Sequence, residues 1–212
     1  MYLCCMDAKV LHILEQVRKL YQRYGIKSVT MDDVASHLCI SKKTLYEYFS
    51  DKEDLVKQVL LLNHERWCDS LMNIDNLNLN AIEELIEVYK MIKTMFMEYN
   101  PSMEYDIRKY YPDLFAKVKE TWRKQMYESA YNNMVKGKKE GLYRKDLNAK
   151  IIARMHVSRM EGLFENEMFS IEELTSFKVF HEVFVYHLQG MLSHEGRTIF
   201  ESNFGKFKAS LD

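Results

Sequence analysis

The stretch "VTMDDVASHLCISKKTLYEYFSDKEDL", residues 29–55, decides the fold, because it contains two short segments with helical spacing separated by "CIS". Thr30 begins a pattern typical of a capping box, and Ser41 is a typical N-cap for the second segment. Leu45 and Phe49, four residues apart, are expected to point toward a core. Helices of about seven or eight residues are unstable alone, because nucleation costs more than so few hydrogen bonds return. We therefore expect neighbouring helices to hold both segments in place.

The flanking segments supply those helices. The preceding stretch, "DAKVLHILEQVRKLYQRYG", repeats apolar residues at three- and four-residue spacing up to Tyr24 and ends with Gly25, which is typical of a helix with one buried stripe. After the second segment, Ser50 and Glu53 form another capping-box pattern, which predicts a long helix from about Asp51 to about Ile74. The sequence thus predicts a three-helix head supported by a fourth helix.

Composition favours an all-α fold and excludes a strongly basic protein. Apolar residues make up 47% of the 212-residue chain, and with 7 Gly and 2 Pro the residues that interrupt helices are scarce. The formal net charge is −1 and the pI is about 6.7, which excludes a wholly basic nucleic-acid coat protein. Any surface that binds an anion must therefore be local.

Cysteine usage and the N-terminal stretch favour a cytoplasmic protein. The four cysteines match no zinc-binding spacing and do not resemble a secreted disulfide scaffold. The stretch "MYLCCMDAKV" lacks the basic segment and the apolar length of a signal peptide, and no stretch is apolar enough to span a membrane. We expect a cytoplasmic protein without a membrane partner and without a cofactor.

Enzyme chemistry and metal binding are the alternatives against which the residues argue. The sequence shows no Gly-rich phosphate loop, no nucleophile–base signature and no Glu-x-x-His pair of the di-iron bundles. His64 and Cys68 are four residues apart on one predicted helix, but two ligands do not make a metal site. We therefore expect neither catalytic residues nor a bound metal.

Longer helices are predicted beyond residue 80. Helical spacing predicts four of them and a short segment bracketed by Pro101 and Pro112. Their approximate ranges are 81–100, 113–139, 149–165 and 171–192. The segment "KGKKEG", residues 136–141, is interpreted as a solvated helix end, and the final stretch, "GRTIFESNFGKFKASLD", is compatible with either a loose tail or a short docking helix.

The two short helices and their turn match a helix-turn-helix motif, in which the second helix enters the major groove of DNA. Because Leu45 and Phe49 point inward, the other side chains of this helix point outward or sideways. Lysines beside the N–H groups of a helix N-terminus favour a bound anion such as phosphate. The predicted DNA contacts are Lys42, Lys43, Thr44 and Tyr48, with Lys52 of the next helix as a further phosphate contact.

The stretch quoted first, together with "ILEQVRKLYQRYGIKS" before it, resembles the N-terminal DNA-binding domain of the TetR family of bacterial transcriptional regulators. The resemblance extends from about Lys9 to about Leu60 and is strongest at "TLYEYF" followed by "KEDL". It implies DNA contacts at the positions named above and adds Tyr46, whose hydroxyl would bind a phosphate, and Thr30. The family usually has Gly where this chain has Cys39, which costs roughly 1–2 kcal/mol if φ is positive there.

The resemblance also implies a larger C-terminal helical domain that dimerises and encloses a small-molecule effector. The predicted domains are a helix-turn-helix DNA-binding domain at residues 1–50 and an effector-binding and dimerisation domain at residues 51–212. The last two long helices carry more apolar surface than one hairpin can cover. The predicted dimer interface consists of Ile152, Met155, Leu163, Phe177, Phe180, Phe184, Leu188 and Met191. Because Met and Tyr suit irregular pockets, the predicted pocket consists of Met95, Tyr99, Trp122, Gln125, Tyr127, Tyr131, Arg159 and Phe164.

These expectations predict a sequence-specific DNA-binding regulator of transcription. Two heads related by a dyad can read a palindromic operator in double-stranded DNA, so we expect a homodimer. The resemblance favours a repressor that a small, largely hydrophobic effector releases from its operator. The alternative is a helix-turn-helix architectural or protein-interaction module without an effector, and the sequence leaves this alternative open.

Overall fold

A computed structural model of the chain describes residues 7–97, 100–165, 169–170, 172–173 and 176–208, and for residues 96, 97, 101, 164, 165 and 203–208 it describes the backbone alone. These residues form ten helices and no β-strand, so the predicted all-α fold is confirmed. The helices are α1 (Ala8–Tyr24), α2 (Met31–His37), α3 (Lys42–Tyr48), α4 (Lys52–Asp75), α5 (Ala81–Met97), α6 (Pro101–Tyr110), α7 (Pro112–Lys139), α8 (Ala149–Glu165), α9 (Lys178–Met191) and α10 (His194–Lys208). Within the described ranges, no helix is long and apolar enough to cross a membrane.

The chain divides into two compact units, and each unit combines separate stretches of sequence. The N-terminal unit contains Met1–Ser70 and Glu98–Trp122, and the C-terminal unit contains Leu71–Met97 and Arg123–Asp212. Helix α6 and the first part of α7 therefore belong to the same unit as the two short helices. The predicted domain boundary follows residue 50, whereas the compact N-terminal unit extends to Ser70 and includes this later segment.

Buried residues of α1, α2, α3, α4 and α6 form the core of the N-terminal unit. Ile13 and Leu14 of α1 are buried, Leu45 and Phe49 are fully enclosed as predicted, and α6 contributes Ile107 to the same cluster. This burial explains why α2 and α3, each only 7 residues long, are stable. Their apolar side chains are held by tertiary contacts rather than by helix propensity.

Two local predictions in this unit are wrong. Tyr24 was expected in the buried stripe of α1, but it is exposed at the last turn, where the Arg23 guanidinium lies 5.2 Å from its ring centroid. The cap of α4 lies one residue later than predicted, because the helix begins at Lys52. The Asp51 carboxylate accepts the N–H of Asp54 at 2.8 Å, and the Asp54 carboxylate accepts the N–H of Ser50 at 3.1 Å.

The C-terminal unit has an aromatic core. The Tyr89 ring of α5 packs against Phe177, Phe180 and Phe184, with centroid distances of 5.2, 5.7 and 4.7 Å. Its hydroxyl lies 2.7 Å from Nδ1 of His181. Burial raises the pKa of Tyr89 to about 12, so the hydroxyl stays protonated and can donate to this nitrogen.

A buried polar network fixes the start of α5 against α7. Asn133 donates to the carbonyl of Ala81 at 2.9 Å and to the Glu84 carboxylate at 3.0 Å. The Tyr143 hydroxyl donates to the Asn133 carbonyl at 2.9 Å, and Lys136 forms an ion pair with Glu84. Burial raises the pKa of Tyr143. Each of these groups has a partner, as buried polar groups require.

The segment "KGKKEG", residues 136–141, is more than a solvated helix end. Gly137 is buried against the ring of Tyr143, so a Cβ at this position would lie 2.2 Å from a ring carbon. Lys138 donates to the carbonyl of Leu147 at 2.6 Å. The prediction of a solvated segment is wrong here, because the glycine allows the helix to pack closely on an aromatic ring.

The last two helices also differ from the prediction. Residues 172–173 are helical as predicted, but the helix predicted from about residue 171 is interrupted: Phe177 has a left-handed φ of 62°, and α9 begins at Lys178. Residues 196–208 of the final stretch belong to α10, and Phe200 is buried in the core of the C-terminal unit, so the docking-helix alternative is the one observed for these residues. Gly196 permits this packing, because a Cβ there would lie 2.1 Å from the carbonyl oxygen of Leu142.

Candidate DNA-binding surface

The turn between α2 and α3 is a Schellman motif. The N–H of Ile40 donates to the carbonyl of Ala35 at 3.0 Å, and the N–H of Cys39 donates to that of Ser36 at 3.2 Å. Cys39 occupies the left-handed position of this motif, with φ of 53°, where glycine is usual. The expected strain of about 1–2 kcal/mol relative to glycine is therefore present.

The first turn of α3 is built as a capped helix start that exposes lysine. The Ser41 hydroxyl accepts the N–H of Thr44 at 3.0 Å, which confirms Ser41 as the N-cap. Lys42 Nζ lies 2.9 Å from Oδ1 of Asp32 in α2, and this hydrogen bond raises the pKa of Lys42. Both partners are exposed, so the pair contributes little and Lys42 can exchange Asp32 for a phosphate. Lys43 is exposed as well.

The two tyrosines of α3 have different surroundings. Tyr46 is exposed, as a phosphate contact requires. Tyr48 is half-buried against the core, and the Lys9 ammonium lies 5.3 Å from its ring centroid. A hydrogen bond with the Tyr48 hydroxyl raises the pKa of Lys9. Sequence reasoning missed Lys9 as a cation next to α3, because it lies in the first turn of α1, far from α3 in sequence.

Lys52 and Thr30, two predicted phosphate contacts, are already held within the chain. Lys52 Nζ donates to the carbonyl of Lys27 at 3.3 Å. Partial burial lowers the pKa of Lys52, and Asp106 and Asp33 act in the opposite direction. The Thr30 hydroxyl accepts the N–H of Asp33 at 3.1 Å and contacts its carboxylate at 2.6 Å, which confirms the capping box. A phosphate at Thr30 would have to share this hydroxyl.

The side chains around the start of α3 are better suited to binding an anionic polymer than to binding a metal ion. Ammonium and hydroxyl groups are clustered around the start of α3, and such groups hold phosphate oxygens. In the part of the chain that the structure describes, no group of three or more His, Cys, Asp or Glu side chains could hold a metal ion. His64 Nε2 and Cys68 Sγ lie 3.6 Å apart, as their spacing on one helix suggests.

The predicted effector-pocket residues fall into separate groups. Trp122 belongs to the N-terminal unit and packs on Trp67, with ring centroids 5.4 Å apart. Tyr127 and Tyr131 stack on each other in the C-terminal unit at 6.1 Å. Met95 is exposed and Gln125 is half-buried. Tyr99 and the side chain of Phe164 lie outside the described residues.

Arg159 is the pocket candidate with the most unusual surroundings. Its Nη2 lies 3.2 Å from Nδ1 of His156, and the His156 ring stacks on His187 at 5.1 Å. Its Nε is buried without a hydrogen-bond partner among the described residues. Burial lowers the pKa of His156 to about 4 and that of His187 to about 3, and the charge of Arg159 acts in the same direction. At pH 7 the half-buried guanidinium therefore contacts one neutral histidine, on which a second neutral histidine stacks.

Most of the predicted dimer-interface residues lie inside the core of their own chain. Five of the eight are buried in the C-terminal unit, namely Leu163, Phe177, Phe180, Leu188 and Met191. Ile152 and Phe184 are half-buried against them, and Met155 is exposed. Helices α8 and α9 carry an outward apolar stripe that includes Met155 and two positions outside the predicted set, with Ile151 53%, Met155 58% and Tyr186 81% exposed. Helical spacing did not separate the inward stripe from this outward one, because both are apolar.

Known proteins match both the N-terminal helices and the whole fold. The family model "Bacterial regulatory proteins, tetR family" matches residues 13–59, which include α2 and α3. An uncharacterized HTH-type transcriptional regulator of Bacillus subtilis (strain 168), YvaF, is 24% identical over 192 residues, which cover 86% of this chain and 95% of YvaF.

Two solved structures of transcriptional regulators share the architecture. A transcriptional regulator from Cytophaga hutchinsonii ATCC 33406 has a TM-score of 0.75 at 22% identity and covers 88% of this chain and 100% of its own. The ketosteroid transcriptional regulator KstR2 of Mycobacterium tuberculosis has a TM-score of 0.56 at 16% identity and covers 89% and 97%, respectively. At such identities the likeness to these structures concerns the fold.

Proposed function

We propose that this chain is a DNA-binding regulator of transcription of the TetR type and that it acts as a homodimeric repressor, because residues 13–59 match the model of the bacterial regulatory proteins of the tetR family. Regulators of this family bind DNA, act as dimers and bind small-molecule effectors. Two heads related by a dyad would read a palindromic operator with half-sites about 34–36 Å apart. The observation that carries this proposal is the preformed start of α3, which a strained turn and the Ser41 cap hold beside exposed lysines.

The contacts divide by chemistry into positioning and sequence-reading groups. Tyr46 and Lys52 contact phosphates. Lys42 becomes a further phosphate contact once it releases Asp32. Thr30 becomes another when its hydroxyl is shared between Asp33 and a phosphate. Lys43 and Thr44 lie at the start of α3 and contact base edges in the major groove. The half-buried Tyr48 supports α3 and positions Lys9 rather than reading bases.

The proposed dimer forms through the outward stripe of α8 and α9, which consists of Ile151, Met155 and Tyr186. These side chains expose apolar surface on two adjacent helices, and a second copy would cover it as a four-helix bundle.

Met155→Glu is expected to shift the protein from dimer to monomer in light scattering. Met72→Glu, at an exposed methionine of α4, is the matched control and is expected to leave the dimer intact.

The proposed effector is a small, largely hydrophobic molecule that binds in the C-terminal unit and releases the operator. The proposal is supported by the aromatic and methionine content of this unit and by KstR2, whose name describes a ketosteroid regulator. Arg159 is the candidate for orienting a polar group of the effector, because its Nε has no partner among the described residues. Effector binding is proposed to favour a conformation of the protein with a lower operator affinity. A coupling of about 1–3 kcal/mol changes occupancy roughly 5- to 150-fold.

The test begins with genomic binding sites and continues with measured affinities for the operator found. A few palindromic sites near promoters support the regulator, whereas broad and scattered occupancy would favour the architectural alternative. Lys52→Ala is expected to weaken operator binding with little sequence bias and to lower the salt slope by about 0.9, because one phosphate contact is lost. Lys43→Ala is expected to change the preferred base at its position. The site assignment fails if Lys52→Ala binds the operator as tightly as the parent at low salt.

A further inference from the structure

A second basic surface lies on the N-terminal unit, outside the helix-turn-helix. It is formed by Tyr24 and Lys27 around the α1–α2 loop and by Tyr105, Lys109 and Tyr110 of α6, and we call these five residues the α6 surface. All five are exposed, with Tyr105 58% and Tyr110 38% accessible. Lysine ammonium groups and tyrosine hydroxyls are among the groups that contact phosphate oxygens of duplex DNA.

The lysines of the α6 surface are positioned by aromatic rings rather than by carboxylates. Lys27 Nζ and Lys109 Nζ lie 4.9 and 5.4 Å from the Tyr110 ring centroid, and Lys109 also donates to the Tyr105 hydroxyl at 3.0 Å. Neither lysine forms an ion pair with a described residue. Their positive charges are therefore held in place and remain available to an anion.

The local field favours negative charge at this place. A hydrogen bond with Lys27, aided by the charge of Lys109, lowers the pKa of the Tyr110 hydroxyl. An anionic oxygen is thus stabilised between the two ammonium groups, as a phosphate oxygen would be. Asp106, the carboxylate in the adjoining groove, is buried and accepts the N–H of Lys27 at 2.7 Å, so it orders the loop that carries Lys27.

The α6 surface is continuous with the proposed phosphate contacts of the head. The carbonyl of Lys27 accepts the hydrogen bond from Lys52 Nζ, and the same loop leads within three residues to Thr30. A shallow groove of about 390 Å³, bounded by Tyr24, Lys27 and Tyr105 among others, runs between the loop and α6. An extended polyanion bound at Lys52 would meet this groove next.

We propose that the α6 surface binds the phosphate backbone of operator DNA outside the base pairs that α3 reads. The inference rests on the proposed function and extends it. Duplex DNA carries one negative charge per about 1.7 Å of its axis, so flanking DNA offers phosphates beyond each half-site. Lys27 and Lys109 neutralise these phosphates, and the hydroxyls of Tyr105 and Tyr110 donate to their oxygens. These contacts add affinity without sequence preference.

The experiment compares two duplexes that share one operator. The short duplex ends at the outermost base pairs of the palindrome that α3 reads, and the long duplex carries about ten additional base pairs, roughly one helical turn, on each side. Affinity is measured across a salt series for the parent, for Lys27→Ala/Lys109→Ala and for Lys27→Arg/Lys109→Arg. Lys145→Ala/Lys150→Ala removes two exposed lysines of the C-terminal unit and serves as the matched control.

The parent is expected to bind the long duplex more tightly than the short one and with a steeper salt dependence. The double alanine variant should lose about tenfold in affinity for the long duplex and about 1–2 units of salt slope, one unit for each lost phosphate contact, and should bind the short duplex as the parent does. The arginine variant should retain binding to both duplexes, because the charges are kept.

Two results would overturn the inference while leaving the proposed function intact. One is equal binding of the parent and the double alanine variant to the long duplex. The other is an equal loss on both duplexes, which would place the two lysines within the core operator contact. Absence of any operator preference in the parent protein would overturn the proposed function and this inference with it.

Discussion

The helix-turn-helix and the core of the C-terminal unit place their polar side chains in opposite ways. In the N-terminal unit the polar groups that shape the helix-turn-helix lie at the surface, as caps such as Thr30 with Asp33 and Ser41 with Thr44. In the C-terminal unit the decisive polar groups are inside, as the network around Tyr143 and the cluster around Arg159. The polar groups of the helix-turn-helix begin and end helices, whereas the network around Tyr143 holds distant helices together.

The two sets of polar contacts also differ in how far apart in the sequence their partners lie. The cap contacts of the N-terminal unit join residues three apart, whereas Asn133 and Tyr143 reach the carbonyl of Ala81 across 52 and 62 residues. Local contacts depend on residue types within one turn and can be recognised in a sequence. Contacts over such separations depend on packing, so a change there should disturb the whole C-terminal unit.

Gly137→Ala is expected to cause the largest loss of stability, and it acts on the C-terminal unit. Its Cβ would lie 2.2 Å from a carbon of the buried Tyr143 ring, so we expect a loss of about 3 kcal/mol in the free energy of unfolding. Urea denaturation of the two proteins measures this loss. Gly162→Ala is the control, since a Cβ there meets nothing within 4 Å and is expected to be neutral or slightly stabilising. Equal stability of Gly137→Ala and the parent would contradict the close packing of α7 on Tyr143.

The C-terminal unit is expected to lose stability in acid, because His156 and His187 are neutral in its folded state. Their pKa values of about 4 and about 3 lie below the ordinary value of 6.5, so the unfolded chain binds more protons as pH falls below 6.5. Stability is therefore full above pH 6.5 and declines toward pH 4, by up to about 1.4 kcal/mol per pH unit for each histidine.

The free energy of unfolding is measured at several pH values from about 7 down to about 4. His156→Gln/His187→Gln removes both titrating groups and leaves Arg159 and Tyr186, the other charged or titratable groups known to act on this cluster, in place. The variant is expected to lose stability less steeply on acidification than the parent. Identical pH profiles would show that the two histidines do not carry the acid sensitivity.

Cys39→Gly is expected to have the smallest effect, and it acts on the N-terminal unit. Glycine adopts the φ of 53° without strain, so we expect a gain of about 1 kcal/mol after the higher entropy of an unfolded glycine is included. The corresponding rise in Tm is about 2–4 °C. Cys39→Ala keeps the strain and should show no gain. Equal melting temperatures for the glycine and alanine variants would show that backbone strain at residue 39 does not lower the stability of the protein.

The helix-turn-helix could be predicted from sequence because each of its signals is local. The cap at Ser41, the inward pair Leu45 and Phe49 and the unusual residue Cys39 all lie within about one turn of the structure that they determine. The same local reasoning placed the bounds of α8 at the observed residues. It missed the left-handed Phe177, because no residue type next to it demands that conformation.

The proposed interface and the α6 surface could not be derived in this way. Periodicity shows that α8 and α9 have apolar stripes, but which stripe faces the core depends on the helices that pack there. Lys27 and Lys109 are 82 positions apart in the sequence, and only the packing of α6 against the loop that follows α1 brings them to one tyrosine ring. Surface charge assembled from distant segments leaves no periodic signal.

The discontinuous N-terminal unit has a consequence for how the protein is made. Its final segment, which ends at Trp122, leaves the ribosome some fifty residues after Ser70. At about 5–20 residues per second, that delay is about 3–10 s, during which the first helices lack the packing that Ile107 provides. A nascent head must therefore wait for α6 before its core is complete, and a polypeptide truncated after α4 would never complete it.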